Sequence, residues 1–148
     1  MSSDPRPSLN DFAERARQYS INLNGRTVRD ESRLIRGGFA FVYKGTLLPE
    51  NTEVAIKTAR GGLPGEERLI KVRSLFILYS DSLRLQQHTL KEVHLWSKLR
   101  HENVLPLIGI TTEYDLTISI VSRWMQNGNA REYVQERSRD PRPLVSQE

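Results

Sequence analysis

The sequence predicts an α+β fold, a five-stranded antiparallel sheet packed on one main helix, and three observations carry that expectation. Strand-type runs recur between glycine and proline turns, one long helix-period segment ends at Arg100, and the connections between consecutive runs are short. Residues 1–32 form an N-terminal extension in which Ser8 caps a short helix, with Leu9, Phe12, Ala13 and Ala16 on one face. From Arg33 the pattern changes: Arg33-Leu34-Ile35-Arg36 and the run from Phe41-Val42-Tyr43 to Leu48 flank Gly37-Gly38 and read as a hairpin. Pro49-Glu50-Asn51 turns the chain into Glu53-Val54-Ala55-Ile56-Lys57, a third strand with alternating faces. Gly61-Gly62-Leu63-Pro64-Gly65 breaks the chain before the helix, on which Leu90, Val93, Trp96 and Leu99 form one apolar stripe. Pro106 to Ile110 and Thr117 to Val121 are the last two strands, separated by the polar turn Glu113-Tyr114-Asp115. Beyond Gly128-Asn129, Ala130 to Arg137 has helical composition, and Pro141 and Pro143 stop it.

A chain of 148 residues allows one domain, and 37% hydrophobic with 27% charged residues is the balance of a globular protein rather than a disordered one. No apolar run approaches the ~18 residues of a membrane span. The start, MSSDPRPSLN, lacks the apolar centre of a signal peptide, so no membrane partner is expected. The absence of cysteine excludes disulfides, thiolate zinc sites and thiol catalysis, and a cytoplasmic location is the expectation. The net charge of +4 does not make a basic stripe: residues 1–36 carry seven Arg against five Asp and Glu. A mixed surface of that kind is not expected to bind nucleic acid. His88, His94 and His101 are scattered without a carboxylate triad, so no metal site is expected.

Three features carry chemistry. Glycines at Gly37-Gly38 let backbone approach a bulky anion without Cβ obstruction, although most glycine hairpins are simple turns. Lys57 ends an otherwise apolar strand, where a lysine ordinarily extends its ammonium into solvent. Glu92 borders the apolar stripe of the helix, and an acid placed there needs a partner. Individually each feature is weak, but their order along the chain is specific.

In that order they resemble the protein kinase family, and in particular the N-terminal lobe of tyrosine-kinase-like members. The glycine-rich loop aligns as Ile35-Arg36-Gly37-Gly38-Phe39-Ala40-Phe41-Val42, followed by Tyr43-Lys44-Gly45. The strand motif is Val54-Ala55-Ile56-Lys57, and the helix carries Leu90-Lys91-Glu92-Val93. Leu99-Arg100-His101-Glu102-Asn103-Val104 looks like the family's helix-to-strand link, and Ile120-Val121-Ser122-Arg123-Trp124-Met125 like its hinge. The resemblance implies that residues 33–125 are the N-lobe and 126–148 the hinge exit with an incomplete start of the C-lobe helices. It implies ATP as ligand and a protein substrate or partner protein. Lys57 would contact the α- and β-phosphates, and Glu92 would hold its ammonium. Gly37, with Ile35, Gly38 and Phe39 beside it, would cover the phosphates. Val42 and Ala55 would wall the adenine, Ser122 would stand behind it, and backbone groups of Arg123 and Met125 would bond its edge.

Departures from the pattern are explicit. Ile35 and Ala40 replace the first and third loop glycines, and a β-branched Ile stiffens the turn. The chain ends at Glu148 without a catalytic loop or a D-F-G motif, so a magnesium ion is expected only in a full-length kinase. The expected function is therefore that of an ATP-binding N-lobe. Its complete form would transfer the γ-phosphate to protein hydroxyls, whereas this chain alone would be inactive. The alternatives are a non-catalytic pseudokinase-like binding module and a gene-model fragment. Residues 72–86 (VRSLFILYSDSLRLQ) interrupt the family's spacing, and removing them joins Ile70-Lys71 to Gln87. Val codons begin GT and a Gln codon ends AG, which suggests a translated intron; finding all fifteen codons in mature message would reject that hypothesis. The competing reading is a genuine longer helix or loop insertion.

Overall fold

Helix α1 (Leu9–Arg17) forms where its capping signal lies. Ser8 Oγ accepts the Asp11 amide, and the Asp11 carboxylate accepts the Ser8 amide in return, so the first turn keeps two of its orphan donors paired. These hydrogen bonds from the Ser8 backbone and then its hydroxyl draw the Asp11 carboxyl below the usual carboxylate range. In this computed structural model, residues 8–37, 40–59, 72–115 and 117–135 are described.

Five strands follow the expected order with one helix interposed. They are β1 (Thr27–Arg36), β2 (Ala40–Leu47), β3 (Thr52–Ala59), β4 (Leu107–Thr111) and β5 (Ser119–Arg123). Helix α2 (Val72–Ser97) lies between β3 and β4, and α3 (Ala130–Gln135) follows β5. The strands make one sheet in the order β1-β2-β3-β5-β4, and its paired strands run antiparallel.

The boundaries differ from expectation in instructive places. Strand β1 begins at Thr27 rather than Arg33. Its first half, Val28-Arg29-Asp30-Glu31-Ser32, shows no apolar alternation because it is an edge strand, and charge on an edge discourages further pairing. A register shift between Arg29 and Leu34 interrupts the ladder to β2 there. Helix α2 ends at Ser97, not Arg100, which leaves Leu99 beyond it and 54% exposed rather than on the buried stripe. Strands β4 and β5 are each displaced toward the C-terminus relative to the expected runs. The stretch 72–86 is helical and continuous with the rest of α2. The Gly61–Gly65 break, Pro141, Pro143 and the rest of 136–148 lie outside the described residues.

The sheet is packed on both faces, which is why its strands bury alternate residues on each side. On the helix side, Phe12 and Ala16 of α1, Leu90 and Val93 of α2, and Ile110, Ile118 and Ile120 form one buried cluster. On the opposite side, Tyr43, Leu47, Val54, Ile56 and Val121 pack with Leu23. The Arg29 guanidinium lies between the Tyr43 and Tyr114 rings, 4.0 and 4.6 Å from their centroids, and donates to Asp115. Tyr114 in turn donates its hydroxyl proton to the Thr27 carbonyl at 2.9 Å, so the polar β4–β5 turn is pinned onto β1. Gly45 sits where β2 meets its neighbours most closely: a Cβ there would lie 2.8 Å from the Val28 carbonyl oxygen.

Candidate functional site

Directly opposed residues of an antiparallel ladder share a face, so the register alone assembles most of the site. Ile35 opposes Val42, Val42 opposes Lys57, and Lys57 opposes Ile120, giving a row across β1, β2, β3 and β5. One step along, Ala55 opposes Ser122. Ile120 belongs to the cluster against α2, so this whole row faces the helix.

Helix α2 completes the arrangement. Lys57 Nζ donates to Glu92 Oε1 at 2.5 Å, joining the middle strand to the helix. The two side chains are 39% and 41% exposed, so the pair stands at an opening rather than in a sealed core. Beneath it lies a cavity of about 570 Å³. Its described lining comprises Ala40 of β2, Lys57 and Ala59 of β3, Ile120 of β5, and Leu85, His88, Thr89 and Glu92 of α2. Thr89 donates its hydroxyl to the Leu85 carbonyl at 3.0 Å and so presents mainly its methyl group.

The expected site residues are not all brought together. Lys57 and Glu92 meet as anticipated. Ile35, Val42, Ala55 and Ser122 share their sheet face but are not part of the cavity lining among the described residues. Ser122 is buried, Arg123 at the end of β5 is exposed, and Met125 beyond it is 52% exposed. Gly37 closes the β1–β2 turn by donating its N–H to the Ala40 carbonyl at 2.9 Å. That amide is committed to the turn. A Cβ at this position would come 2.9 Å from the same oxygen, so glycine is needed for close approach. Gly38 and Phe39 lie outside the described residues.

Sequence reasoning missed the remaining lining residues, although spacing signals them. Ala40 and Ala59 are two positions from Val42 and Lys57, and Ile120 two from Ser122, the period of a strand face. Leu85, His88, Thr89 and Glu92 fall at i, i+3, i+4 and i+7 of a helix. No group of three or more His, Asp or Glu side chains among the described residues is placed to hold a metal ion. No helix among the described residues is long and apolar enough to cross a membrane.

Comparison with known proteins gives this geometry its context. Residues 28–145 match the family model described as protein tyrosine and serine/threonine kinase. A leucine-rich repeat receptor-like serine/threonine-protein kinase of Arabidopsis thaliana is 35% identical over 112 residues, 75% of this chain and 10% of that protein. The tyrosine-protein kinase transforming protein Fps of Fujinami sarcoma virus is 31% identical over 120 residues, 81% of this chain and 11% of that protein. The receptor-like protein kinase THESEUS 1 of Arabidopsis thaliana is 35% identical over 106 residues, 71% of this chain and 10% of that protein. The chain thus spans about a tenth of the length of these relatives.

Proposed function

The chain belongs to the protein tyrosine and serine/threonine kinase family, and on that footing we propose that the face carrying Lys57 and Glu92 binds ATP. The observation that carries this reading is the 2.5 Å contact between Lys57 Nζ and Glu92 Oε1 at the mouth of the cavity. An ammonium has three donors. With one directed at Glu92, two remain for phosphate oxygens, and the glutamate fixes where they point.

The neighbouring residues suit the remainder of the nucleotide. Ile35, Val42 and Ala55 offer apolar surface on the same sheet face for the base, with Ser122 behind. Backbone groups at Arg123 and Met125 serve its polar edge without requiring particular side chains. The turn at Gly37, with Gly38 and Phe39, covers the phosphates. Since the Gly37 amide is already used, coverage there relies on neighbouring groups. In the whole protein the γ-phosphate passes to a protein hydroxyl, with the base and the magnesium ligands supplied by residues other than those described. Ile35 in place of the first loop glycine favours a second reading, a non-catalytic module that binds nucleotide or a protein partner without transfer.

Isothermal titration of the chain with ATP tests the proposal. Saturable heat is expected at micromolar or weaker affinity, since the Lys57–Glu92 pair stands about two-fifths exposed to water and a dissociation constant of 1 mM already corresponds to about 4 kcal/mol. Absence of heat at millimolar ATP overturns nucleotide binding and leaves the protein-partner reading.

A further inference from the structure

Helix α1 reaches the site without touching it, and we infer that Phe12 is a positioning residue for Glu92. Phe12 is 1% exposed and Ala16 is fully buried, in the cluster that holds Leu90 and Val93 on either side of Glu92. The same cluster contains Ile110 and Ile120 of the sheet, with Ile118 just before β5, so Phe12 ties helix to sheet rather than merely covering the helix. An ion pair as exposed as Lys57–Glu92 is too weak to keep a helix in place, and apolar packing must do so.

The segment after α1 anchors this contact at both ends. The Tyr19 ring stacks on His94, two positions from Glu92, with centroids 4.3 Å apart. The Leu23 amide donates to the Ile110 carbonyl and the Ile110 amide to the Ile21 carbonyl, both at 2.8 Å, which lays residues 21–23 along β4. Asn24 extends the attachment by accepting the Thr112 amide at 2.9 Å and donating to the Thr112 hydroxyl at 2.8 Å. Residues 8–24 therefore strap α2 to the far edge of the sheet, and the strap sets how closely Glu92 approaches Lys57. This inference rests on the nucleotide reading only for its consequence in affinity.

The chain has no native cysteine, so spin labels on Lys91→Cys and Arg36→Cys, both exposed positions, report the distance from α2 to the sheet. Phe12→Ala is expected to broaden that distance distribution and to weaken ATP binding at least fivefold. Phe12→Leu, which restores the packing, is expected to return both within twofold. Ile56→Val on the opposite face lowers stability without touching α1 or α2, and should change neither readout. A folded Phe12→Ala protein with an unchanged distribution overturns the inference, as does an equal change from Ile56→Val. Should Phe12→Ala fail to fold, Leu9→Ala at the cluster margin carries the same measurement, and an unchanged distribution there overturns it too. The labelled distances need no nucleotide. A chain that binds no ATP but broadens on Phe12 substitution would refute the nucleotide reading and leave the positioning role standing.

Discussion

Lys57→Met is expected to abolish calorimetrically detectable ATP binding while leaving the unfolding midpoint nearly unchanged. The two halves of that result follow from different magnitudes. An ion pair with both partners about two-fifths exposed contributes roughly 0–1 kcal/mol to folding, because solvent screens it and two flexible chains must be ordered. A charge-assisted hydrogen bond to a bound phosphate is worth about 1.5–3 kcal/mol, or roughly tenfold to more than a hundredfold in affinity. On a site that binds weakly, the latter loss is enough to remove measurable heat. Methionine keeps most of the apolar stem that lines the cavity, so lost packing does not confuse the comparison. Unchanged affinity in a folded Lys57→Met protein would mean that nucleotide, if bound, lies elsewhere on the sheet.

The parts of this site that were legible in the sequence are those set by local periodicity. Alternation in Val54-Ala55-Ile56-Lys57 put Lys57 on the face opposite Val54 and Ile56, and the Leu90–Val93 stripe put Glu92 at the margin of the packed face. That the two side chains meet was implied by the resemblance to protein kinases, not by periodicity. The start of β1 was illegible because its ladder there carries charge on an exposed edge, and hydrophobic pattern has nothing to report. The Arg29–Asp115 contact was equally hidden. It joins residues 86 positions apart and depends on Asp115 adopting a φ of 54°, which no local pattern encodes.

Helix α2 shows the same limit from another side. Spacing against a family pattern set 72–86 apart as an interruption, yet the backbone is helical throughout it. Its last residues are also built into the fold: Leu83 packs on the helix-side cluster, Leu85 lines the cavity, and Gln86 is 4% exposed. The Gln86 side-chain oxygen accepts the Ile118 amide at 3.2 Å, satisfying a buried donor next to β5. Family spacing records where a chain departs from its relatives, whereas packing decides whether the departure is structural.

Ile56→Ala is expected to lower the free energy of unfolding by about 3 kcal/mol, within the roughly 2–5 kcal/mol range of buried Ile-to-Ala changes. Ile56 is fully buried at the centre of the cluster opposite α2, between β2 and β5 and surrounded by Tyr43, Leu47, Val54 and Val121. Its Cδ1 also occupies the space a side chain at Gly45 would need, at 2.7 Å from the position of a Cβ there. Adding Gly45→Ala to Ile56→Ala therefore removes that clash but not the one with the Val28 carbonyl, so the second substitution should deepen the loss rather than repair it. Urea denaturation is the measurement: the midpoint should fall with an unchanged slope, the mark of altered stability rather than altered compactness. Against a total of about 5–15 kcal/mol this is a large fraction. Because Ile56 and Lys57 point to opposite faces, ATP affinity of the folded protein should stay as it was. A loss under about 1 kcal/mol, small beside that buried-Ile range, would show that this face is not the close-packed core that fixes the strand carrying Lys57.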